Sequence, residues 1–221
     1  MARLARVVVP GLPHHVTQRG NRQQTVFFHD ADYEAYLGLL ASHAAAAGCG
    51  IWAYCLQPTH VHVIAVPGDE DGLRRALADA NRRYARRVNA REGWRGHLWQ
   101  ERFGSFAMDE PQLHAAARHI ELNPVRAGLV AAPEQWPWSS ARAHLAGVDD
   151  AVVRVAPLLA AGGDWREHLA GRSDADLGAR LRLHERTGRP MGSEAFVSEL
   201  EQRCGRRLRM LPPGPRREGL S

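Results

Sequence analysis

The chain has 221 residues, 44% of them hydrophobic, enough to bury a sizeable core, so a small peptide is excluded and one domain of ordinary size plus an extension is expected. The formal net charge is +5 and all 29 basic residues are arginine; clustered guanidinium groups give positive potential and grip phosphate through two donors, which fits a polyanionic partner. No apolar run reaches the length needed to cross a membrane, and the opening MARLARVVVPGLPHH is broken too early for a signal peptide, so a soluble cytoplasmic protein is expected.

HHVTQRG (14–20) reads as a strand with a polar exit. DADYEAYLGLLASHAAAAG follows as a helix, capped by Asp30 or Asp32 and stopped at Gly48,. IWAYCLQ (51–57) and HVHVIAVP (60–67) are two β-rich runs separated by Pro58 at hairpin distance, which predicts adjacent antiparallel strands,. The next segment, 69–93, places Leu73, Leu77, Ala80, Tyr84 and Val88 on one helical stripe. Arg75, Arg82, Arg83, Arg86 and Arg87 form its basic flank,. HLWQERFGSFAMD (97–109) reads as a fourth strand, and EPQLHAAARHIELNP as a helix with Pro111 near its start and Pro124 closing it,.

Strand, helix, strand, strand, helix, strand, helix is the order of an α+β sandwich, in which one antiparallel sheet carries its helices mainly on one face. The other face is expected to be open. Composition shifts near residue 145, dividing a first domain, 1–147, from a partly helical extension, 148–221, that ends in a basic Pro/Gly-rich tail expected to be mobile,. Cys49, Cys55 and Cys204 are odd in number and form no CxxC pair, which fits a reducing compartment and buried apolar roles.

The chemistry centres on QPTHVHVIAVP (57–67). His60 and His62 are two apart on a strand, so they share a face, while Val61, Val63 and Ala65 point the other way into a core,. Two neutral imidazoles can hold a divalent metal, but a third ligand has to come from elsewhere. His119 and Asn123 are four apart in ARHIELNPVRAGLV and share a helical face for as long as the helix persists,. Gln100, Glu101 and Arg102 fall on the fourth strand, where Glu101 or Arg102 is a candidate for contact with metal-bound water or phosphate, against the plainer reading of a cross-strand ion pair,. His14 and His15 are assigned no chemistry.

The succession QPTHVHVIAVP, GHLWQERFGSF, RHIELNPVRAGLV and WPWSSARAHLAG resembles the REP-associated tyrosine transposases, single-tyrosine HUH endonucleases of the insertion-sequence 200 type, over roughly residues 10–145. That resemblance implies a ferredoxin-like domain that binds Mg²⁺ or Mn²⁺ through His60, His62 and Asn123, and needs no nucleotide cofactor. It implies single-stranded or hairpin DNA, such as repetitive extragenic palindromes, as substrate and partner, a place at the nucleoid, no membrane association, and a monomer or homodimer. In the family a tyrosine attacks the phosphate to give a 5′-phosphotyrosine and a free 3′-hydroxyl.

One residue departs from the family pattern. The position of the nucleophilic tyrosine, four before the Asn, holds His119. Tyr33, Tyr36, Tyr54 and Tyr84 all sit in apolar contexts suited to packing. Three readings follow: His119 attacks phosphorus and forms a phosphohistidine; His119 joins His60 and His62 as a metal ligand and water cuts the strand; or the nucleophile is lost and the fold survives as a DNA-binding or regulatory protein. The resemblance also favours DNA backbone contact by the arginine flank of 71–92, by Arg102, and by Arg206, Arg207 and Arg209 behind a short helix in SEAFVSELEQRC,. Trp136 and Trp138 are read as packing a turn before a helix capped by Ser139 or Ser140 rather than as base-stacking platforms,.

Overall fold

The structure is a computed structural model that describes residues 4–160, 163–171 and 176–210. The end of the basic tail, 211–221, lies outside the described residues, as therefore does its expected mobility.

The first part of the chain runs β1 (His14–Arg19), α1 (Asp30–Ala46), β2 (Cys49–Gln57), β3 (His60–Pro67), α2 (Asp79–Glu92), β4 (Gly104–Ala107), α3 (Glu110–Glu121), with a π-helical turn at Arg74–Ala78 leading into α2. The four strands pair antiparallel in the order β2-β3-β1-β4. This is the ferredoxin-like α+β arrangement. Gly48, at φ +60°, takes the left-handed conformation after α1 that a side chain would resist, and so turns the chain directly into β2,. The α1 cap is not formed as expected. His29 holds the cap position, and the buried Asp32 carboxylate instead accepts the Phe28 N–H at 2.9 Å and pairs with Arg91.

Strand alternation divides the core in two. Val16, Tyr54, Leu56, Val61, Val63 and Ala65 face α1 and α2, where they meet Tyr33, Tyr36, Leu40, Leu77, Tyr84 and Val88. Cys55, Ile64 and Phe106 face the other way, under Leu113, Ala117 and Ile120 of α3. The second face is therefore not open. The chain beyond α3 forms α4 (Asn123–Arg126), α5 (Ala141–Ala146), α6 (Ala156–Leu159), α7 (Trp165–Ala170), α8 (Leu177–Thr187) and α9 (Glu194–Cys204). Leu158, Trp165, Leu169, Leu177 and Leu181 complete the second core. The physical reason is that Ile64 and Phe106 are as apolar as the valines opposite, and each large apolar side chain withdrawn from water contributes about 1.5–3 kcal/mol.

The fourth strand is shorter than expected. Residues 97–103 run as a loop anchored by the buried Leu98, Trp99 and Phe103. The backbone still meets the end of β1, where Trp99 bridges Gly20 and the Gln100 N–H donates to the Arg19 carbonyl at 2.9 Å. The Trp99 indole N–H donates to the Asn81 carbonyl at 2.9 Å and pins the loop under α2. Gln100, Glu101 and Arg102 lie on that loop, before β4 begins. Of the two serines, Ser139 takes the capping bond, its Oγ accepting the N–H of Ala141 at 3.3 Å at the start of α5, while Ser140 holds the cap position and its hydroxyl bonds to Tyr54 and Glu121. Trp138 stacks on Tyr33 and Trp136 donates to the Leu56 carbonyl at 2.8 Å, as the packing reading expects.

Glu121 ties these layers together. Its carboxylate, fully buried, accepts from Ser140 Oγ at 2.6 Å, His144 Nδ1 at 2.6 Å and Trp165 Nε1 at 2.8 Å. One side chain thus joins α3 to the turn before α5, to α5 and to α7. Glu121→Leu strands three buried donors, and is expected to lower the unfolding free energy by about 3–5 kcal/mol in a urea titration; an unchanged midpoint would show that the layers are held by apolar contact alone.

Candidate metal and DNA-cleavage site

β3 sends His60 and His62 to the second face, opposite Arg19 and Thr17 of β1. Their rings lie 5.0 Å apart between centroids and nearly perpendicular. Thr59 Oγ1 is 2.9 Å from His60 Nδ1, which orients that ring from the turn between β2 and β3. Gly20 keeps this turn in place. Its N–H donates to the Thr59 carbonyl at 2.8 Å, and a Cβ there would meet the Gln24 carbonyl at 2.3 Å.

His62 has a neighbour to which the sequence pattern gives no role. His15 Nε2 lies 3.0 Å from His62 Nδ1, and Glu185, from α8, brings a carboxylate oxygen to 3.8 Å from His15 Nδ1 and 4.0 Å from His62 Nδ1. Ligand atoms of His15, His62 and Glu185 all fall within 4.8 Å of one another. Arg19 donates to the other Glu185 oxygen at 3.1 Å. His14, on the opposite side of β1, is structural: the Val9 N–H donates to its Nε2 at 3.2 Å, and its Nδ1 lies 2.8 Å from the Leu12 carbonyl.

Burial holds these imidazoles neutral. It pushes His60 down to about 4 with help from Arg19, His15 to about 3 with help from Arg19, and His62 well below its ordinary value, where His60, His15, Arg19 and His119 add to the effect. His119, on the last turn of α3, is lowered to about 3 by burial and then by Arg126, His15 and Arg182. Each ring therefore offers a free lone pair at neutral pH.

α3 ends at Glu121, and Asn123 opens a separate turn with Pro124 behind it, so His119 and Asn123 do not share one uninterrupted helix,. Arg126 joins them instead, donating to the His119 carbonyl at 2.7 Å and to Asn123 Oδ1. Asn123 Nδ2 is buried without a partner. The first turn of α8 comes close from above: a methyl at Gly178 would sit 3.4 Å from His119 Cε1.

All four tyrosines belong to the core on the far side of the sheet. Tyr36 donates to Asn81, Tyr84 to the Val26 carbonyl and Tyr54 to Asp150, and burial pushes every phenol above its ordinary value.

The arginine flank is distributed unevenly. Arg82, Arg83, Arg86 and Arg87 are exposed on α2, where Arg82 pairs with Asp79 at 2.9 Å. Arg75 is turned toward Asp69 and the Ala47 carbonyl. Arg82 and Arg86 line an open groove of about 800 Å³ whose opposite wall is the 96–103 loop with Glu101 and Arg102. Glu101 and Arg102 also border a smaller cleft with Thr17, Arg19 and Glu185. Arg206 donates to the carbonyls of Ala5 and Arg6, and Arg209 to Ser198 and the Glu194 carbonyl, so these two secure the C-terminal helix; Arg207 is exposed.

A ferredoxin-like sheet with a histidine pair on its second strand from the edge, covered by the helix that follows β4, defines the class of protein. A sequence model of the IS200-like transposase family matches residues 8–123, more than half of the chain, and the chain belongs to that family. Among solved structures, the REP-associated tyrosine transposase bound to a REP hairpin is similar in fold, with a TM-score of 0.56 at 22% identity over 70% of this chain and 92% of that one. A candidate transposase of Deinococcus radiodurans R1 aligns with a TM-score of 0.38 at 18% identity, over 54% of this chain and 96% of that one. No curated protein matches the sequence.

The neutral histidines set a pH dependence. In the unfolded chain they take up protons near pH 6.5, whereas folded His14 and His60 resist until about 4 and His15 until about 3. The unfolded state then binds more protons throughout that window, so stability is fully present above pH 6.5 and is lost as pH falls toward about 4,. The thermal midpoint is expected to be level above pH 7 and to drop through this window, and a flat profile would contradict neutral burial.

Proposed function

We propose that this protein cleaves and rejoins single-stranded or hairpin DNA through a covalent protein–DNA intermediate at His119, with a divalent ion held by His60, His62 and Asn123. The observation that carries the reading is a separation: every tyrosine is buried in the core on the far side of the sheet, while His119 stands on the last turn of α3, the helix that covers the face carrying His60 and His62. The hairpin-bound relative supplies the substrate class.

The donor set suits Mg²⁺ or Mn²⁺. His60 and His62 are neutral on one face, and the Asn123 amide, with its nitrogen unpartnered, retains acceptor capacity on its oxygen beside Arg126,. Such an ion, when bound, supplies positive charge to a non-bridging phosphate oxygen. The chain's residues do the rest. A ring nitrogen of neutral His119 forms a bond to phosphorus, the bond from phosphorus to the 3′-oxygen breaks, and that oxygen takes up a proton as the imidazolium gives one up at its other nitrogen. The phosphohistidine keeps the bond energy, so attack by a 3′-hydroxyl reverses the sequence and joins strands. Arg82, Arg86 and Arg102 hold the DNA backbone along the groove between α2 and the 96–103 loop,.

The test is end-labelled hairpin DNA incubated with the protein and Mn²⁺, resolved on a denaturing gel with and without protease, beside His119→Ala and the four Tyr→Phe variants. A protease-sensitive, acid-labile adduct that persists in every Tyr→Phe variant and vanishes in His119→Ala is expected. A nick without an adduct would replace this reading with hydrolysis by water, and binding without cutting would replace it with a DNA-binding module. In the binding arm, replacing Arg82, Arg83, Arg86 and Arg87 with Gln is expected to flatten the log–log dependence of affinity on salt by about 0.7 for each single-strand phosphate that arginine no longer neutralises. An unaltered slope would remove α2 from the interface.

A further inference from the structure

We propose that His15, bonded to His62 and flanked by the Glu185 carboxylate, forms a relay that fixes which nitrogen of His62 carries its proton, leaving Nε2 free as a donor atom for the metal. The inference rests on the metal reading above, and it adds two positioning residues, one of them on α8, outside the residues matched by the family.

The number of protons restricts the arrangements open to the pair. The His15 and His62 rings are parallel within 4°, with centroids 5.1 Å apart and facing nitrogens 3.0 Å apart, so they meet edge to edge, as an N–H···N bond requires,. Each ring is neutral and carries a single proton, and only one proton fits between the two facing nitrogens. If His15 Nε2 donates, His62 must carry its own proton on Nε2, where it blocks coordination. His15 would then turn a bare Nδ1 lone pair toward a carboxylate. If His62 Nδ1 donates, His62 Nε2 is left as a free donor atom and His15 carries its proton on Nδ1, facing Glu185.

Glu185 selects the second arrangement. Its Oε1 is 3.8 Å from His15 Nδ1, a nitrogen that is buried and otherwise without a partner. A negative charge beside a lone pair is repelled, and beside an N–H it is attracted. Arg19 holds the carboxylate in place through its other oxygen at 3.1 Å. The same oxygen is 4.0 Å from His62 Nδ1, so the carboxylate lies beside both nitrogens and favours an N–H on each, which is the arrangement that leaves His62 Nε2 free,. Outer-shell partners of this kind set the tautomer and orientation of a ligating imidazole.

The direct test is long-range ¹⁵N–¹H NMR of the metal-free full chain, which reports the tautomer of each histidine. His62 is expected in the Nδ1–H form, shifting toward Nε2–H in Glu185→Ala and His15→Leu. Mn²⁺ affinity, measured by titration, is expected to fall about 10–100-fold in His15→Leu. It should recover to within about threefold in His15→Gln, whose amide oxygen accepts the His62 proton as Nε2 of His15 does. Glu185 is on the rim of the core, so Glu185→Ala serves as the variant whose fold is least disturbed. The Nε2–H form of His62 in the unaltered protein, or equal affinity in His15→Leu, would overturn the relay. So would the loss of Mn²⁺ binding in Glu185→Ala with full binding in His60→Ala, which would make His15, His62 and Glu185 the ligands themselves. Absence of Mn²⁺ binding by the unaltered protein would instead fell the metal reading, and the tautomer measurement would still decide the relay.

Discussion

Alternation along β3 is the constraint on which the rest of the structure depends. Val61, Val63 and Ala65 go to one core and His60, His62 and Ile64 to the other, because successive side chains of a strand leave on opposite faces,. That division gives the protein a chemically inert side, filled with tyrosines and aliphatics under α1 and α2. The other side is lined with imidazoles. Had the sheet been covered on one face only, His15, His62 and His119 would stand in water and titrate near neutral pH. Covering by α3 and the following helices removes water, keeps the rings uncharged and strengthens each remaining polar contact.

The covering layer is held by its own buried polar centre. Glu121 follows His119 by two residues on α3 and bonds to groups from the turn before α5, from α5 and from α7. The helix that carries the proposed nucleophile is therefore anchored by the same side chain that fastens the later part of the chain. Arg126 works from the other end, fixing the His119 carbonyl and the Asn123 amide. Rigid support of this kind suits an attacking group, whose efficiency depends on being held at the reacting atom. Glu185 extends the pattern, since an acid from α8 reaches the sheet histidines across the second core.

The antiparallel pair at 51–67, the stripe of α2 and the packing of the tyrosines are legible in the sequence because each rests on local periodicity. Leu73, Leu77, Ala80, Tyr84 and Val88 are all buried, as their helical spacing predicts. Other expectations fail where tertiary contact outweighs local pattern. Residues 97–103 have strand composition, yet beyond a bridge between Gly20 and Trp99 they run as a loop, with the Trp99 side chain held beneath α2. The helix of His119, by contrast, stops before Asn123 as the sequence leads one to expect, because Pro124 has no N–H to continue it,.

By itself the sequence determined the histidine pair on one strand face and the order of strands and helices. These are properties of neighbours in the chain. Only the tertiary structure decided that the second face is covered, that His15 of β1 lies beside His62, and that Glu185 arrives from more than a hundred residues away. Strand pairing order and helix docking are set by long-range packing of apolar surface, which leaves no periodic trace in the residues that it brings together.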